Sequence, residues 1–226
     1  MKKIVVLTGA GMSAESGIST FRDSGGLWEN YDVMEVAHID SWEGNKELML
    51  HFYNERRKQL ADVEPNEGHR ILAELENQFN ITVITQNVDN LHERAGSSKI
   101  IHLHGELTKA CSSNDKSHVV DIGSKEINLG DKAGDGSQLR PFIVWFGEAV
   151  PEIDKAAKEV SQADIIIIVE TSMQVYPAAG LIHYSSAGTP IYLIDPAEVS
   201  VSPNVEVIKE KASVGLQKLK EKLIGI

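Results

Sequence analysis

The chain has 226 residues, of which 42% are hydrophobic, and its formal net charge is -11 at pH 7. A chain of this size can bury the core of one domain, or of one domain with a small insertion. The acidic balance argues against general affinity for nucleic acid, and it is consistent with basic protein partners or simply with solubility. No segment has the length of a membrane span and no secretion signal precedes the first strand, so we expect no membrane attachment and a cytoplasmic protein.

The first segment with a chemical signature lies at residues 7–23 and follows a β-branched run. The strand predicted at residues 3–8 ends in Gly-Ala-Gly at residues 9–11, and a helix is predicted from there to about residue 19. Backbone N–H groups of such a turn bind the pyrophosphate of a nucleotide. Because the third glycine of the usual dinucleotide fingerprint is missing, an ordinary strand-to-helix turn is also consistent with the glycines alone.

A loop-rich stretch follows the glycine turn. Phe21 and Arg22 stand where a guanidinium can meet phosphate and an aromatic ring can cover the nicotinamide end of a dinucleotide. The next residues contain paired glycines and Trp28, a composition consistent with a lid over bound ligand and equally with a long surface loop. We treat residues 23–60 as a cofactor loop followed by a helical segment.

Residues 46–60 mix apolar and charged side chains at helical spacing. Within this predicted helix, Tyr53 and Arg56 fall at positions i and i+3 on one face. Spacing alone favours a packed tyrosine beside an exposed arginine on a surface helix.

The following elements alternate between helix and strand. An apolar stripe predicts a helix at residues 69–79, and a β-branched run predicts a strand at residues 81–85. This alternation predicts an α/β fold with a Rossmann-like, doubly wound parallel sheet. Gln86, Asn87 and Asp89 follow the strand at the edge where such sheets bind ligands, although polar turn chemistry explains these residue types equally.

Residues 100–107 predict one short strand with His102 and His104 at alternate positions, so that both side chains point to the same face. Two histidines at this spacing can hold a metal ion, but no further ligand recurs at usable spacing, and we expect no metal site. A histidine directly before Gly105 suits a general base better, because its ordinary pKa lies near neutrality and glycine lets a substrate approach closely.

Residues 108–140 are polar and turn-rich, and we expect a small subdomain inserted between the halves of the nucleotide fold. Residues 140–148 then return to strand character. Their edge could accept an extended peptide by strand addition, and a core strand that ends in a glycine turn is compatible with this role.

The last third of the chain continues the alternation. A helix at residues 152–162 leads into the apolar run 163–169, which predicts a central strand buried on both faces. A strand at residues 190–196 carries Asp195 near its end, where an acid can accept hydrogen bonds from ribose hydroxyls. The remaining predicted elements are a short strand at residues 205–208 and a helix that starts at residue 212.

Three segments together resemble the sirtuin family of NAD-dependent protein deacylases. Residues 9–22, Gly-Ala-Gly-Met-Ser-Ala-Glu-Ser-Gly-Ile-Ser-Thr-Phe-Arg, resemble its opening signature, and residues 86–89 resemble its second signature. Residues 140–148 resemble the segment that pairs with the substrate backbone. The resemblance covers nearly the whole chain and implies one catalytic domain over residues 1–226. The NAD-binding residues that it implies are Gly9, Ala10, Gly11, Ser13, Ala14, Ser16, Gly17, Phe21, Arg22, Trp28, Gln86, Asn87, Val88, Asp89, Thr171, Ser172, Asp195 and Ala212.

The resemblance also implies a reaction. It makes His104 and Asn87 the catalytic residues, whereas we assign His102 a structural role. The acyl-lysine oxygen attacks the anomeric carbon as nicotinamide leaves, and His104 then removes a proton from a ribose hydroxyl. The products are free lysine, nicotinamide and acyl-ADP-ribose. The residues implied for contact with the acylated protein are Tyr53, Arg56, Val144, Phe146 and Gly147.

Tyr53 and Arg56 match the pair that marks the sirtuin subgroup acting on acidic acyl groups. A phenol hydroxyl and a guanidinium are the groups needed to bind the distal carboxylate of succinyl- or malonyl-lysine. We therefore expect deacetylation, desuccinylation or demalonylation of protein lysines by a monomeric enzyme.

Two features depart from the family pattern. Most sirtuins hold a structural zinc ion with two cysteine pairs in the inserted region, but Cys111 is the only cysteine of this chain. We therefore expect no zinc, and an insertion held by packing and hydrogen bonds. Glu170 stands where the family has glycine, and a carboxylate there should obstruct and repel the anionic cofactor unless its side chain turns outward.

Two alternatives stay open. Mono-ADP-ribosyl transfer or plain NAD hydrolysis would use the same pocket without depending on an acylated peptide. A module that senses NAD or ADP-ribose without turnover is suggested by Glu170 and by the missing zinc cysteines.

Overall fold

The computed structural model describes residues 1–18, 31–171, 178–199 and 201–225. The strands are β1 (Lys3–Thr8), β2 (Asn80–Thr85), β3 (Ile100–His102), β4 (Gly105–Ser112), β5 (Val119–Asp121), β6 (Leu139–Ile143), β7 (Ile165–Val169), β8 (Ile191–Ile194) and β9 (Val205–Ile208). The α-helices are α1 (Gly11–Ala14), α2 (Val33–Val36), α3 (Lys46–Ala61), α4 (Glu67–Leu75), α5 (Leu91–Ala95), α6 (Ile153–Ser161) and α7 (Ala212–Ile224), and short 3₁₀ segments lie at Ile39–Ser41 and Ala178–Tyr184. Among these elements no helix is both long and apolar enough to cross a membrane.

A six-stranded parallel sheet with the order β3-β2-β1-β7-β8-β9 forms the centre of the molecule. The chain winds from β1 to β3 on one side and from β7 to β9 on the other, so its direction changes between β1 and β7. Open parallel sheets bind ligands at this switch point, beyond the carboxyl ends of the strands. The predicted α/β, Rossmann-like class is confirmed.

The sheet is buried on both faces because its central strands consist almost entirely of apolar residues. In β1, Ile4 and Val6 join a core with α4 and α7, whereas Val5 and Leu7 join a second core with α6. All five residues of β7 are buried. The prediction of a central strand at residues 163–169 is therefore confirmed, with the strand itself at residues 165–169.

Two predicted elements near the glycine turn differ from the structure. The helix predicted to reach about residue 19 ends at Ala14, and turns follow it to Gly17, which has a φ of 94°. The next amphipathic helix begins earlier than predicted because the Asn66 side chain accepts hydrogen bonds from the amides of Gly68 and His69. Phe79 lies beyond the end of this helix.

The single strand predicted at residues 100–107 is wrong. β3 ends at His102 and pairs with β2, whereas β4 begins at Gly105 and pairs with β5 and β6 in a separate antiparallel sheet. Gly105 has a φ of 83°, and a Cβ at this residue would overlap the Phe142 carbonyl. The chain thus changes sheet at a position that only glycine accommodates well.

The small sheet spans the sequence region in which we predicted an inserted subdomain. Ser112, at the end of β4, donates to Asp135 Oδ2 at 2.5 Å and lies 2.7 Å from the Ser137 hydroxyl. The buried Cys111 lies beside this hydrogen-bonded loop closure. A third apolar core joins the small sheet to α3, with Phe52 and Trp145 among its buried members.

Candidate functional site

A chain of buried polar side chains joins the end of β1 to the end of β2. Asn87 Nδ2 donates to the Gly9 carbonyl at 3.0 Å and to Ser13 Oγ at 3.1 Å. Ser13 Oγ donates in turn to Asp89 Oδ2 at 2.8 Å. Burial raises the pKa of Asp89, and the bonds from Ser13 and the Leu91 amide offset part of that effect. These residues are therefore fixed at the switch point.

The glycine turn packs tightly against the end of β7. A Cβ at Gly9 would lie 2.6 Å from Thr171 Cα, so a larger residue would push the two segments apart. The Gly9 amide donates to the Val169 carbonyl at 3.1 Å. Ser16, further along, accepts a 3.0 Å hydrogen bond from Asn66. The turn is thus built from β1, β7 and the residue that caps α4.

His104 lies next to Gln86, the residue before Asn87, with its Nδ1 3.1 Å from the Gln86 carbonyl. A carbonyl can only accept, so Nδ1 carries the hydrogen and Nε2 of the neutral ring is the basic nitrogen. Burial lowers the pKa of His104, and the bond to Gln86 offsets only part of that effect. Gln86 is anchored by a 2.7 Å bond from its Nε2 to Thr171 Oγ1. The ring is therefore held in the state that a general base requires.

His102 is held in the opposite protonation state. Its Nδ1 lies 3.2 Å from the Asn87 carbonyl and its Nε2 2.6 Å from Glu93 Oε1, so both nitrogens face acceptors. Burial opposes a charge on this ring, but Glu93 outweighs burial and raises the pKa of His102. Glu106 also offers a ligand atom within 4.8 Å of the other two, a cluster that the sequence spacing did not reveal. Within this cluster His102 pairs with Glu93, whereas Glu106 pairs with Lys109 at 2.7 Å.

Tyr53 and Arg56 lie on the face of α3 that points toward the small sheet. The Tyr53 hydroxyl accepts a 3.0 Å hydrogen bond from Trp145 Nε1, and burial raises the pKa of Tyr53 to about 12. The Arg56 guanidinium lies 5.9 Å from the centre of the Tyr53 ring and lines a small cavity that also contacts Val88 and Asp89. The cavity therefore places Arg56, one member of the predicted acyl-binding pair, beside Asp89 of the polar cluster at the end of β2.

A buried ion pair that the sequence did not predict packs against Trp145, the hydrogen-bond partner of Tyr53. The Arg140 guanidinium lies 3.4 Å from the centre of the Trp145 ring and donates twice to Glu148, at 2.9 and 3.1 Å. Glu148 also accepts from the Trp145 amide at 2.8 Å and pairs with Lys116. Burial opposes a charge on Glu148, but Arg140 and Lys116 outweigh burial and lower its pKa. The motif Trp-Phe-Gly-Glu was the available signal, because it places an acid three residues after an aromatic.

A second missed residue, Arg57, docks α3 onto β4. Only 1% of this arginine is exposed, and its Nε donates to the Leu107 carbonyl at 2.8 Å. Burial lowers its pKa to about 10. The sequence analysis assigned a role to the neighbouring Arg56 and none to Arg57, because helical spacing alone does not show which of the two arginines is buried.

The segment predicted to receive a peptide is already paired through two of its amides. The Val144 amide donates to the His104 carbonyl, and the Phe146 amide donates to Ala37 at 2.8 Å. Phe146 presents an exposed ring, and Gly147 follows with a φ of 84°. An added strand would therefore have to pair with other backbone groups of this segment.

The phosphate side of the site contains Glu170, and its side chain does not turn outward. Its Oε1 accepts a 2.6 Å hydrogen bond from the Ala212 amide, one of the groups predicted to bind the cofactor. Asp195 is buried nearby and accepts from the Ala197 amide at 2.9 Å. Of the remaining predicted cofactor residues, Phe21, Arg22, Trp28 and Ser172 lie outside the described part of the chain, whereas Ala10, Ala14 and Gly17 lie in or beside α1.

Comparison with known proteins places this geometry in one family. Residues 9–177 match the Sir2 family. The chain is 59% identical over 231 residues to an NAD-dependent protein deacylase of Bacteroides thetaiotaomicron, with 99% of each chain covered.

Two solved structures share the fold. A complex of a Sir2 homologue with NAD superposes with a TM-score of 0.88 at 38% identity, covering 99% of this chain and 90% of the other. A Sir2 complex with a deacetylated p53 peptide and 3'-O-acetyl ADP ribose superposes with a TM-score of 0.83 at 30% identity, covering 97% and 93%. The match of sequence and of switch-point architecture shows that this chain belongs to the Sir2 family.

Proposed function

We propose that this protein is an NAD-dependent deacylase of protein lysines. The observation that carries the proposal is the neutral His104, whose Nδ1 is bonded to Gln86 beside the buried Asn87-Ser13-Asp89 cluster. A base, an amide and a carboxylate thus converge where the sheet changes direction. The names of the Bacteroides relative and of the peptide complex support the same activity.

The residues present fit the nicotinamide and ribose portions of NAD. Asp89 and Asn87 are buried and fixed, and carboxylate and amide groups suit hydroxyl and carboxamide partners. When bound, NAD supplies an electrophilic sugar carbon and nicotinamide as leaving group. At the phosphate turn the fit is incomplete, because Glu170 contacts Gly11 there.

His104 is the proton acceptor of the proposed reaction. Its Nδ1–H stays bonded to the Gln86 carbonyl, and its Nε2 accepts the proton that a ribose hydroxyl releases. Because burial lowers the pKa of His104, the ring is neutral and basic near pH 7. His102, with both nitrogens bonded to acceptors, has no free basic nitrogen and orients Glu93 and the Asn87 carbonyl instead.

We further propose that Tyr53 and Arg56 direct the enzyme toward succinyl- and malonyl-lysine. The Tyr53 hydroxyl accepts from Trp145, so its own hydrogen is available to donate to a substrate carboxylate. Arg56 lines the cavity that leads toward Asp89, and its positive charge matches a distal carboxylate. The acyl-lysine would thus approach between α3 and the end of β2.

A nicotinamide-release assay with NAD and matched peptides tests the proposal. We expect release to require an acylated peptide and to be faster with succinyl-lysine than with acetyl-lysine. Equal release without peptide would identify an NAD hydrolase instead. Release with the acetyl-lysine peptide but not with the succinyl-lysine peptide would support deacylation and contradict the proposed preference of Tyr53 and Arg56 for acidic acyl groups.

A further inference from the structure

Glu170 occupies a position where its backbone is fixed from both sides. Its amide donates to the Ile194 carbonyl at 2.8 Å, and its carbonyl accepts from the Gly11 amide at 3.3 Å. Its φ of 42° is the only positive value among the described non-glycine residues. A non-glycine residue in this conformation carries strain, which indicates that the surrounding structure determines the position of the side chain.

The carboxylate fills the cleft between the glycine turn and the start of α7. Oε1 accepts from the Ala212 amide at 2.6 Å, in the first turn of that 13-residue helix. A Cβ at Gly11 would collide with the carboxylate and would lie 2.5 Å from Glu170 Cβ. The carboxylate therefore covers the surface of Gly11 that a phosphate needs for close approach.

The groups around this cleft make it negative. Glu15 accepts from both the amide and the hydroxyl of Ser213, at 3.0 and 2.8 Å, and Asp195 lies on the β8 side. Lys211 is the cation that acts on Glu170 from the α7 side. An anion that enters this cleft thus meets three carboxylates and one ammonium group. Burial, together with the two other acids, raises the pKa of Glu170.

We infer that the Glu170 carboxylate competes with the phosphates of the cofactor, so that binding requires this side chain to leave Gly11 and Ala212 or to take up a proton. The inference rests on the NAD site of the proposed function and assigns Glu170 as the residue that limits cofactor affinity. Protonation of Glu170 removes the repulsion, so affinity increases as the pH falls.

Calorimetric titration of ADP-ribose at pH 6 and pH 8 tests this inference without requiring turnover. We expect Glu170→Gly to bind about tenfold or more tightly than the unmodified protein at pH 8, because both the charge and the obstruction disappear. We expect Glu170→Gln to bind more tightly than the unmodified protein at pH 8 by a smaller factor, because it removes the charge but keeps the obstruction. Its affinity for ADP-ribose should differ little between pH 6 and pH 8. Thermal unfolding of each variant checks that it is folded.

Glu15→Gln is the matched control, since it removes a carboxylate from the same helix start but none from Gly11. We expect it to change affinity by about twofold or less. Equal affinity of the Glu170 variants and the unmodified protein at both pH values would overturn the inference and leave the nucleotide site intact. Absence of binding in every variant, Glu170→Gly included, would overturn both the inference and the proposed function.

Discussion

The two ends of the candidate site differ in what their polar groups contact in the free protein. At the proposed catalytic end, Asn87, Ser13 and Asp89 bond one another, and no described residue bonds Nε2 of His104. At the phosphate end, Glu170 bonds the Ala212 amide and covers Gly11. A preorganised group costs little when the ligand arrives, whereas an occupied cleft must first be vacated. The proposed site thus combines a preorganised polar cluster at one end with a cleft at the other end that its own Glu170 side chain fills.

The largest effect is expected from the base at the catalytic end. His104→Ala should lower formation of acyl-ADP-ribose by about 10²- to 10⁴-fold, the usual contribution of a general base. Binding of ADP-ribose should change far less, because the proposed contact of His104 with this ligand is limited to a ribose hydroxyl. Product formation and calorimetric binding are measured on the same preparation.

His102→Gln is the control for this variant, since it alters the neighbouring ring without removing the proposed base. We expect a much smaller loss of rate. A comparable loss in both variants, or full activity of His104→Ala, would contradict the assignment of the base.

The buried ion pair of Arg140 and Glu148, which packs against Trp145 next to Tyr53, is expected to stabilise the fold. Glu148→Ala leaves Arg140, which is 2% exposed, without its carboxylate partner, and we expect a loss of about 3–5 kcal/mol in the free energy of unfolding. Urea unfolding measures this loss. The matched control, Glu152→Ala, breaks the exposed pair with Lys155 and should cost less than about 1 kcal/mol. Equal effects would show that the buried network does not hold the site.

A pair of buried histidines lies beside the last residue of β1. His69 and His92 pack edge to face with ring centres 4.7 Å apart, and His92 Nε2 lies 3.2 Å from Thr8 Oγ1, just before the glycine turn. Burial, followed by repulsion from Arg70, lowers the pKa of His69 to about 4. The unfolded chain therefore binds a proton first, and stability present above about pH 6.5 is lost as the pH falls toward 4.

Urea unfolding at pH 7 and pH 5 checks this effect. We expect the unmodified protein to lose about 2 kcal/mol between these values on account of His69, and His69→Leu to lose less. His51→Gln, at an exposed position of α3, should leave the difference unchanged. An unaltered difference in His69→Leu would contradict the assignment.

The smallest effect concerns the acyl group. Tyr53→Phe keeps the ring in its core but removes the hydroxyl, so KM for a succinyl-lysine peptide should rise about tenfold through loss of one charged hydrogen bond. KM for the acetyl-lysine peptide should not change. An equal rise of KM for both peptides would show that Tyr53 supports the pocket but does not bind the carboxylate of the acyl group.

The amino-acid pattern predicted the parallel sheet because β-branched runs such as residues 165–169 must be buried on both faces. It also predicted the neighbourhood of Gln86, Asn87 and Asp89, since the carboxyl ends of parallel strands meet at one edge. It failed where contacts distant in sequence decide the outcome. The break at Gly105 depends on the Phe142 carbonyl, which lies 37 positions away.

The sequence by itself determined the fold class, the family and the identity of the candidate base, because local periodicity and short motifs carry that information. Only the tertiary structure decided which histidine is neutral, since the carbonyl of Gln86 and the carboxylate of Glu93 are brought to the rings by folding. It also decided the direction of the Glu170 side chain. A strained backbone and the amide of Ala212, 42 positions away, hold that carboxylate against Gly11.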